Sequence, residues 1–294
     1  MYALVRQVFW GRIVSVFEFE DGQVVQLAAV GCVVPALVVG AIAAFSLPFH
    51  SSDSITEQAG QGSPVSVSVQ GPVAKQRAVP NSIPPAPGAS LPPVDMSAGG
   101  RTAQVFEDWA RPLSKASGVD GQAFSAYANA AAQAQIRWPE CSLKWTTLAG
   151  LGWVESKHGT YNGHIFSGGS RLDEDGVAQP LIIGPALDGN GFAFIEDTDG
   201  GEHDGDDLHD RAIGPMQFIP ESWSIFGLDA DGDGYANPHQ IDDAALGAAN
   251  LLCSGGRDLS VAGDWRDAIF SYNQSEEYLK DVRDAANKYA SFDF

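Results

Sequence analysis

Apolar positions in the segment LAGLGWVESKHGTYNG (148–163) follow a helical period that ends at a carboxylate. Leu148, Leu151 and Glu155 fall on one helix face, because residues three, four and seven positions apart lie above one another. The last turn of a helix also favours cations over carboxylates. Glu155 therefore lies where stability alone would not place an acid, which makes it the first candidate for chemistry.

The remaining pattern predicts a mainly α (α+β) C-terminal domain. Apolar residues recur with helical spacing on both sides of a Gly-rich middle, 160–212, where short β-branched runs alternate with turns. We expect this middle to be a small irregular β or loop insertion. Ser142 is the expected N-cap of the Glu155 helix, and Gly159 its expected stop. The predicted helices are 102–116, 121–137, 143–156, 215–226, 242–254, 264–273 and 276–290.

Residues 24–49 form an apolar stretch without a charged side chain. It is long enough to cross a bilayer, which needs about 20 apolar residues. Arg6 and Arg12 precede it and the next basic residue is Lys75, so the positive-inside rule places residues 1–23 in the cytoplasm. We therefore predict a single transmembrane anchor.

Two processed forms of this segment are alternatives. Ala41-Ile42-Ala43 has the small residues of a signal-peptidase site, and Cys32 follows a sequence that faintly resembles a lipoprotein box. The length of the apolar stretch favours the uncleaved anchor. All three readings place the rest of the chain outside the cytoplasm, in the cell envelope.

Residues 50–100 read as a linker between this anchor and a domain at 101–294. Eight of the 17 prolines fall in this linker, among many Ser, Gly and Gln and few aromatic residues. Such a composition cannot bury a core. The linker would hold the domain away from a membrane.

Charge excludes one class of partner. Residues 101–294 carry 13 Lys and Arg against 31 Asp and Glu. Nucleic acids need a basic footprint, so the chain is not expected to bind them, nor to dock tightly on anionic lipid. The surplus acids form a solvated surface, or some of them hold a cation.

Two of the three cysteines, Cys141 and Cys253, lie in the predicted extracytoplasmic domain. Disulfides persist in that environment, so we predict a bond between them. The alternative is a pair of buried thiols.

Polar side chains suited to a sugar occur in two segments. Gln217, next to Met216, offers an amide donor and acceptor within an apolar wall. Tyr272 and Asn273 fall at a helix end with Tyr278 just after, and tyrosine has an apolar face and a polar tip. Helix-start chemistry, core tyrosines and a C-capping asparagine are the structural alternatives.

Four segments in order carry a family resemblance: LAGLGWVESKHG, DRAIGPMQFIPESW, GLDADGDGYANPHQIDDAALGAANLLC and AIFSYNQSEEYLKDV. Together they resemble the membrane-bound lytic murein transglycosylase B family in its actinobacterial form, over roughly residues 120–290. The resemblance implies a lysozyme-like helical fold, with Glu155 as the catalytic acid/base. The implied sugar-binding residues are Ser156, Met216, Gln217, Tyr272, Asn273 and Tyr278.

The activity that the resemblance implies is cleavage of the MurNAc–GlcNAc β-1,4 bond of peptidoglycan, with formation of 1,6-anhydro-MurNAc ends. One glutamate can perform both proton transfers, where most glycosidases need two carboxylates. It must be protonated near neutral pH, which an apolar surround favours. A hydrolytic muramidase on the same fold and a non-catalytic peptidoglycan-binding scaffold are the alternatives.

The segment DADGDGYANPHQIDD (229–243) resembles an EF-hand loop. Gly234 occupies the sharp-turn position, but Gln240 replaces the bidentate Glu at position 12, so a later aspartate, Asp242 or Asp243, would have to reach in. We expect structural Ca²⁺ here and no cofactor for the chemistry; the alternative is a turn with no ion. The expected ligands are Asp229, Asp231, Asp233, the Tyr235 carbonyl and Asp242.

The insertion segment EDTDGGEHDGDDLHD (196–210) holds eight acidic residues in 15. A solvated loop is the preferred interpretation, and a second cation site or a lid over the groove are alternatives. The histidines show no zinc spacing. His158, three residues after Glu155, is a candidate to tune that carboxyl group.

Overall fold

The computed structural model describes residues 14–18, 24–28, 82–93, 95, 100–161 and 169–292. Strands β1 (Val14–Glu18) and β2 (Val24–Ala28) form an antiparallel hairpin in which Val14 lies opposite Ala28. β2 covers the first five residues of the predicted anchor. The rest of that segment, with the possible cleavage site and Cys32, lies outside the described residues. No helix in the described ranges is both long and apolar enough to span a bilayer.

The C-terminal domain is mainly helical, as the sequence pattern predicts. Its largest interfaces join helix Trp145–Ser156 with Glu276–Ala290, and helix Gly121–Arg137 with Ile241–Cys253. The predicted first helix begins with a 3₁₀ segment, Thr102–Phe106, before the α-helix proper. The α-helices are α1 (Glu107–Ser117), α2 (Gly121–Arg137), α3 (Trp145–Ser156), α4 (Pro220–Phe226), α5 (Ile241–Cys253), α6 (Ala262–Tyr272) and α7 (Glu276–Ala290).

Helix α3, which carries Glu155, begins two residues later than predicted. Lys144 is its N-cap residue and makes no side-chain capping bond. Ser142, the predicted cap, instead has a φ of 55° and ends a 3₁₀ turn, Pro139–Cys141. The prediction was wrong because Pro139 starts its own short turn, which Ser142 ends, and α3 begins only after Lys144.

Helix α3 ends in three successive left-handed residues. Lys157, His158 and Gly159 have φ values of 54°, 61° and 82°. Gly159 was expected to stop the helix, but the reversal begins two residues earlier at side chains for which this conformation is unfavourable. The exit from α3 is therefore tightly constrained, immediately after Glu155.

Two glycines let other elements approach α3 closely. A Cβ atom at Gly150 would lie 2.5 Å from the carbonyl oxygen of Val282 on α7. At Gly152 it would lie 1.9 Å from the hydroxyl oxygen of Tyr127 on α2. Side chains at these positions would force the helices apart, so the LAGLG sequence fixes α3 in the middle of the bundle.

The predicted β-containing insertion is present as two small antiparallel pairs. Strand β3 (Arg171–Leu172) pairs with β4 (Ala178–Gln179), and β5 (Ile183–Ala186) pairs with β6 (Arg211–Ile213) across a bulge. Between β5 and β6, the acidic segment is ordered by aspartates that accept bonds from nearby backbone amides.

The helix predicted at 215–226 is shorter than expected. Residues 214–217 form a turn that follows β6, and Phe218 pairs back with Ile213 through bonds of 2.7 and 3.0 Å. Helix α4 starts only at Pro220, whose fixed φ suits a first helical turn. Met216 and Gln217 therefore lie in a tight turn and not at a helix start.

The end of the predicted linker packs against the domain. We call residues 82–93 the strap. Its backbone carbonyls satisfy two tryptophan indoles and a threonine hydroxyl that α1 and α3 present, so the folded domain starts by Ser82 and not at 101. The three bonds run from Trp109 Nε1 to Ser90 O (3.0 Å), from Trp145 Nε1 to Ala89 O (3.0 Å) and from Thr146 Oγ1 to Ala86 O (2.9 Å).

The predicted disulfide is confirmed. Cys141 and Cys253 are bonded, with Cα atoms 5.3 Å apart and a sequence separation of 112. The bond joins the turn before α3 to the end of α5. A closed loop of this size stabilises a domain by roughly 2–5 kcal/mol.

Candidate active site

Glu155 lies in the last turn of α3 with only 4% of its surface exposed. Burial raises the pKa of its carboxyl group to about 8, against the smaller lowering effects of Tyr278 and Lys157. The Tyr278 hydroxyl donates a short hydrogen bond to Oε1. Glu155 is therefore mostly protonated at neutral pH, the state that a general acid needs before it reacts.

Tyr278 is placed by the start of α7. Ser275 caps this helix and accepts a bond from the Tyr278 amide, at 3.3 Å. The phenol is 3% exposed, and burial together with the Glu155 carboxyl group raises its pKa well above the usual range. It therefore stays a hydrogen-bond donor. The sequence indicated that Tyr278 belongs to the site, but it did not predict the bond to Glu155.

Tyr272 and Asn273 lie at the helix end that the sequence predicted. Tyr272 is the last residue of α6 and Asn273 its C-cap. The Tyr272 ring is 1% exposed and lies 5.8 Å from the ring of Phe218, and it is near enough to Tyr278 to help raise that phenol's pKa. These contacts connect the end of α6 with Phe218, which follows the 214–217 turn, and with Tyr278 on α7, which bonds to Glu155.

Ser156 fixes the 214–217 turn against the end of α3. Its hydroxyl donates to the carbonyl oxygen of Pro215 at 2.6 Å and accepts from the Gly159 amide at 2.7 Å. The side chain is fully buried. Its contacts here are those of a brace that holds two segments together beside Glu155.

The turn itself holds Gln217 in an unusual conformation. Gly214 has a φ of 73°, and a Cβ atom there would lie 1.8 Å from the carbonyl oxygen of Pro238, so only glycine fits. Gln217 has a φ of 50°, and its side-chain nitrogen Nε2 donates to the Gly214 carbonyl oxygen at 3.0 Å. Met216 and Gln217 are both fully buried.

Backbone strain is concentrated near Glu155. Among the described residues, four that are not glycine have positive φ, and Lys157, His158 and Gln217 are three of them. Such conformations cost on the order of 1–3 kcal/mol each and persist where the surroundings enforce them. No pattern in the sequence marks these positions, because the strain comes from tertiary packing.

His158 is a core residue rather than a neighbour that tunes Glu155. Its Nδ1 lies 3.2 Å from the Tyr127 hydroxyl and its Nε2 lies 2.6 Å from the Tyr289 hydroxyl. Burial and two nearby lysines lower its pKa to about 3, so the ring is neutral. The side chains that shift the pKa of Glu155 are Tyr278 and Lys157. His158 ties the end of α3 to α2 and α7.

A candidate cation site forms at the EF-hand-like loop. Carboxylate oxygens of Asp229, Asp231 and Asp243 lie within 4.8 Å of one another. Asp243 is buried at the start of α5, and burial raises its pKa to about 7. Its carboxylate accepts amide bonds from Ala230 (2.7 Å) and Asn237 (2.8 Å), so it already closes the loop onto α5.

The structure corrects part of the expected ligand set. Asp242 forms an ion pair with Arg101 and is not one of the three clustered carboxylates. Gln240 caps α5, its side-chain oxygen accepting from the amides of residues 242 and 243. The carboxylate of Asp233 accepts from the Tyr235 amide at 2.7 Å and is not in the cluster. The spacing identified the loop but could not choose between adjacent aspartates on a helix start.

A second acidic cluster lies in the insertion. Carboxylate oxygens of Asp197, Asp199 and Asp210 also lie within 4.8 Å of one another. Asp210 is fully buried and accepts bonds from the Thr198 amide and hydroxyl. These bonds order the loop by themselves, so the cluster is a folded element of the insertion.

No protein-family model, no curated protein and no solved structure matches this chain.

Proposed function

We propose that this protein is a lytic transglycosylase that cleaves the MurNAc–GlcNAc β-1,4 bond of peptidoglycan and leaves 1,6-anhydro-MurNAc ends. One observation carries the proposal: the buried carboxyl group of Glu155 has a pKa of about 8 and accepts a hydrogen bond from the phenol of Tyr278. The four ordered sequence motifs, with their implied lysozyme-like fold, support the same reaction.

In the first step, protonated Glu155 gives its proton to the glycosidic oxygen while the C1–O4 bond breaks. Burial keeps the carboxyl group protonated at neutral pH, and proton transfer by a positioned acid contributes about 10²–10⁴-fold to the rate. As the carboxylate forms, Tyr278 donates to it. A hydrogen bond to a charged acceptor is stronger than one to a neutral acceptor, so the phenol helps most after the proton has left.

In the second step, the Glu155 carboxylate takes the proton from the C6 hydroxyl of the same muramoyl residue. The oxygen of that hydroxyl then bonds to C1 and closes the 1,6-anhydro ring. The nucleophile is part of the substrate, so its effective concentration is high and no water is consumed. The carboxyl group ends in its starting protonation state. One acid is therefore enough for the complete cycle.

The sugar-binding part of the proposal assigns Gln217, Tyr272 and Asn273 to the groove beside Glu155, with Met216 and Tyr278 in its wall. The contacts among the 214–217 turn, α6 and α7 support this grouping. Because most of these side chains are buried, the turn must shift or the substrate must enter from the half-buried Asn273 side.

Calcium is proposed as a structural ion only. Asp229, Asp231 and Asp243 offer the hard oxygen ligands that Ca²⁺ prefers, far along the chain from Glu155. Ca²⁺ would raise the melting temperature of the wild type and not that of Asp231→Asn. Equal melting curves with and without millimolar Ca²⁺ would overturn this part.

The proposed location is the extracytoplasmic side of the cell membrane, with residues 24–49 as the anchor and peptidoglycan strands as the partner. The disulfide between Cys141 and Cys253 supports an oxidising compartment. The acid-rich composition supports the expectation that nucleic acid is not a partner.

The test is to digest purified peptidoglycan with the full-length protein and to identify the products by mass spectrometry, with Glu155→Gln alongside. Anhydro-muramoyl products from the wild type alone are expected. Glu140→Gln, at an exposed position, is the matched control and should keep full activity.

Other products would contradict the proposal in distinct ways. Reducing-end products would mean that water replaces the C6 hydroxyl, and the enzyme would be a muramidase. No products with retained glycan binding would indicate a scaffold. Full activity in Glu155→Gln would remove Glu155 from the mechanism.

A further inference from the structure

Two of the five lysines in residues 101–294 gather on one tryptophan close to Glu155. The Lys157 ammonium lies 4.3 Å from the centroid of the Trp153 ring, and the Lys288 ammonium lies 5.4 Å from it. We call these three residues the lysine–tryptophan patch. Trp153 and Lys157 come from the end of α3, and Lys288 from the last turn of α7.

Among the described residues, neither ammonium group forms an ion pair. Within the ranges that the structure describes, no carboxylate lies within 4 Å of Lys157 or Lys288. Lys157 donates only to the carbonyl oxygen of Trp153, at 3.1 Å. In contrast, Lys280, which also lies on α7, forms an ion pair with Asp284 at 2.8 Å.

The patch adjoins the candidate active site. Lys157 is near enough to Glu155 to lower that carboxyl group's pKa, while burial lowers the pKa of Lys157 itself against the smaller raising effects of Asp281 and Glu155. From there the patch extends along α7. Lys288 follows Tyr278 by ten residues, or about 15 Å at the helical rise of about 1.5 Å per residue.

We infer that the lysine–tryptophan patch binds the carboxylates of the short peptide that is attached to the muramoyl residues of the substrate. This inference rests on the proposed function. The spacing of about 15 Å along α7 between Tyr278, which bonds to Glu155, and Lys288 equals the length of four to five extended residues at about 3.3 Å each, the scale of such a peptide.

The charge of the whole domain strengthens the assignment. Residues 101–294 include 31 acidic and 13 basic side chains, so the net charge of the domain repels an anionic substrate. Two unpaired ammonium groups beside Glu155 offer the anion a favourable place next to the chemistry. Trp153 holds them there, because a cation over an indole ring is attracted to its face.

The test uses the full-length protein and three ligands that differ in their carboxylates. Peptide-bearing glycan strands carry carboxylates on the peptide, amidase-stripped strands carry only the lactyl carboxylate, and chitin oligosaccharides carry none. The variants are Lys157→Gln, Lys288→Gln and the double variant, with Lys280→Gln as the control on α7. Melting curves confirm that each variant is folded.

Lys288→Gln is the decisive variant, because Lys288 is not among the groups that shift the pKa of Glu155. We expect kcat/KM on peptide-bearing strands to fall on the order of tenfold, the size of one charge-assisted contact. Activity on stripped strands and binding of chitin oligosaccharides should stay at the wild-type level. The preference for peptide-bearing strands should also weaken as salt is added.

Three outcomes would overturn the inference. The first is an equal loss of kcat/KM on stripped and peptide-bearing strands, which would point to the lactyl carboxylate. The second is unchanged kcat/KM and binding in the double variant. The third is a loss of kcat/KM in Lys280→Gln as large as that in Lys288→Gln. If the wild type cleaves no strand, the proposed function fails instead. The difference in binding between peptide-bearing and stripped strands then still tests the patch without turnover.

Discussion

Glu155→Gln should make the protein more stable at neutral pH while it abolishes turnover. Burial raises the pKa of Glu155 from 4.5 to about 8. At pH 7 the folded protein therefore holds a proton that the unfolded chain releases. Glutamine has the same shape, can still accept a bond from Tyr278 and needs no proton to be buried.

The sign follows from linkage. A carboxyl group with a raised folded-state pKa stabilises the fold fully below its unfolded-state pKa, and this contribution is lost as the pH rises through the folded-state pKa. The free energy of unfolding should therefore fall between about pH 4.5 and pH 8. Each pKa unit corresponds to about 1.4 kcal/mol, so the cost at pH 7 is about 3 kcal/mol.

Urea unfolding with the disulfide intact, followed by tryptophan fluorescence, measures this effect. The advantage of Glu155→Gln should be small at pH 4.5 and about 3 kcal/mol at pH 7. Glu140→Gln, an exposed change, controls for the loss of one charge. An advantage of Glu155→Gln that does not vary with pH, or no advantage at all, would refute the buried, protonated carboxyl group.

Three further perturbations test the surroundings of this group. Tyr278→Phe removes a donor that favours the Glu155 carboxylate, so the alkaline limb of the pH–rate profile should move up by about one to two pH units; a downward shift would contradict the assignment. Gly152→Ala places a Cβ atom against the Tyr127 hydroxyl and should lower the free energy of unfolding in urea by at least about 1–3 kcal/mol. The double variant with Tyr127→Phe should recover part of this loss. A Gly152→Ala variant as stable as the wild type would show that α2 and α3 are not in close contact. Trp145→Phe should lower the melting temperature and expose the strap to proteases, because it removes the indole bond to Ala89. An unchanged melting temperature and protease resistance would show that this bond does not form.

The helices were predictable because their apolar faces and end signals are local. α2 and α7 begin and end where the sequence placed them, since Asp120 and Ser275 cap them directly. The disulfide followed from compartment and residue count. Glu155 was identifiable because an acid on an apolar helix face conflicts with local preference.

Features that depend on distant contacts were not predictable. The helix expected at 215 became a turn, because Phe218 pairs back with Ile213 and Gly214 packs against the Pro238 carbonyl. The choice of Asp243 over Asp242 depends on Arg101, which arrives from a distant part of the chain. The tyrosine that bonds to Glu155 was named as a sugar ligand, since 123 residues separate the two in sequence.

The strap also determines where a mechanical load would enter the domain. Any pull through the segment before Ser82 reaches Trp145 and Thr146, the first two residues of α3, through their bonds to the strap. Glu155 lies at the other end of this same helix. A pull would therefore be applied at the first turn of α3 and carried along this helix toward Glu155.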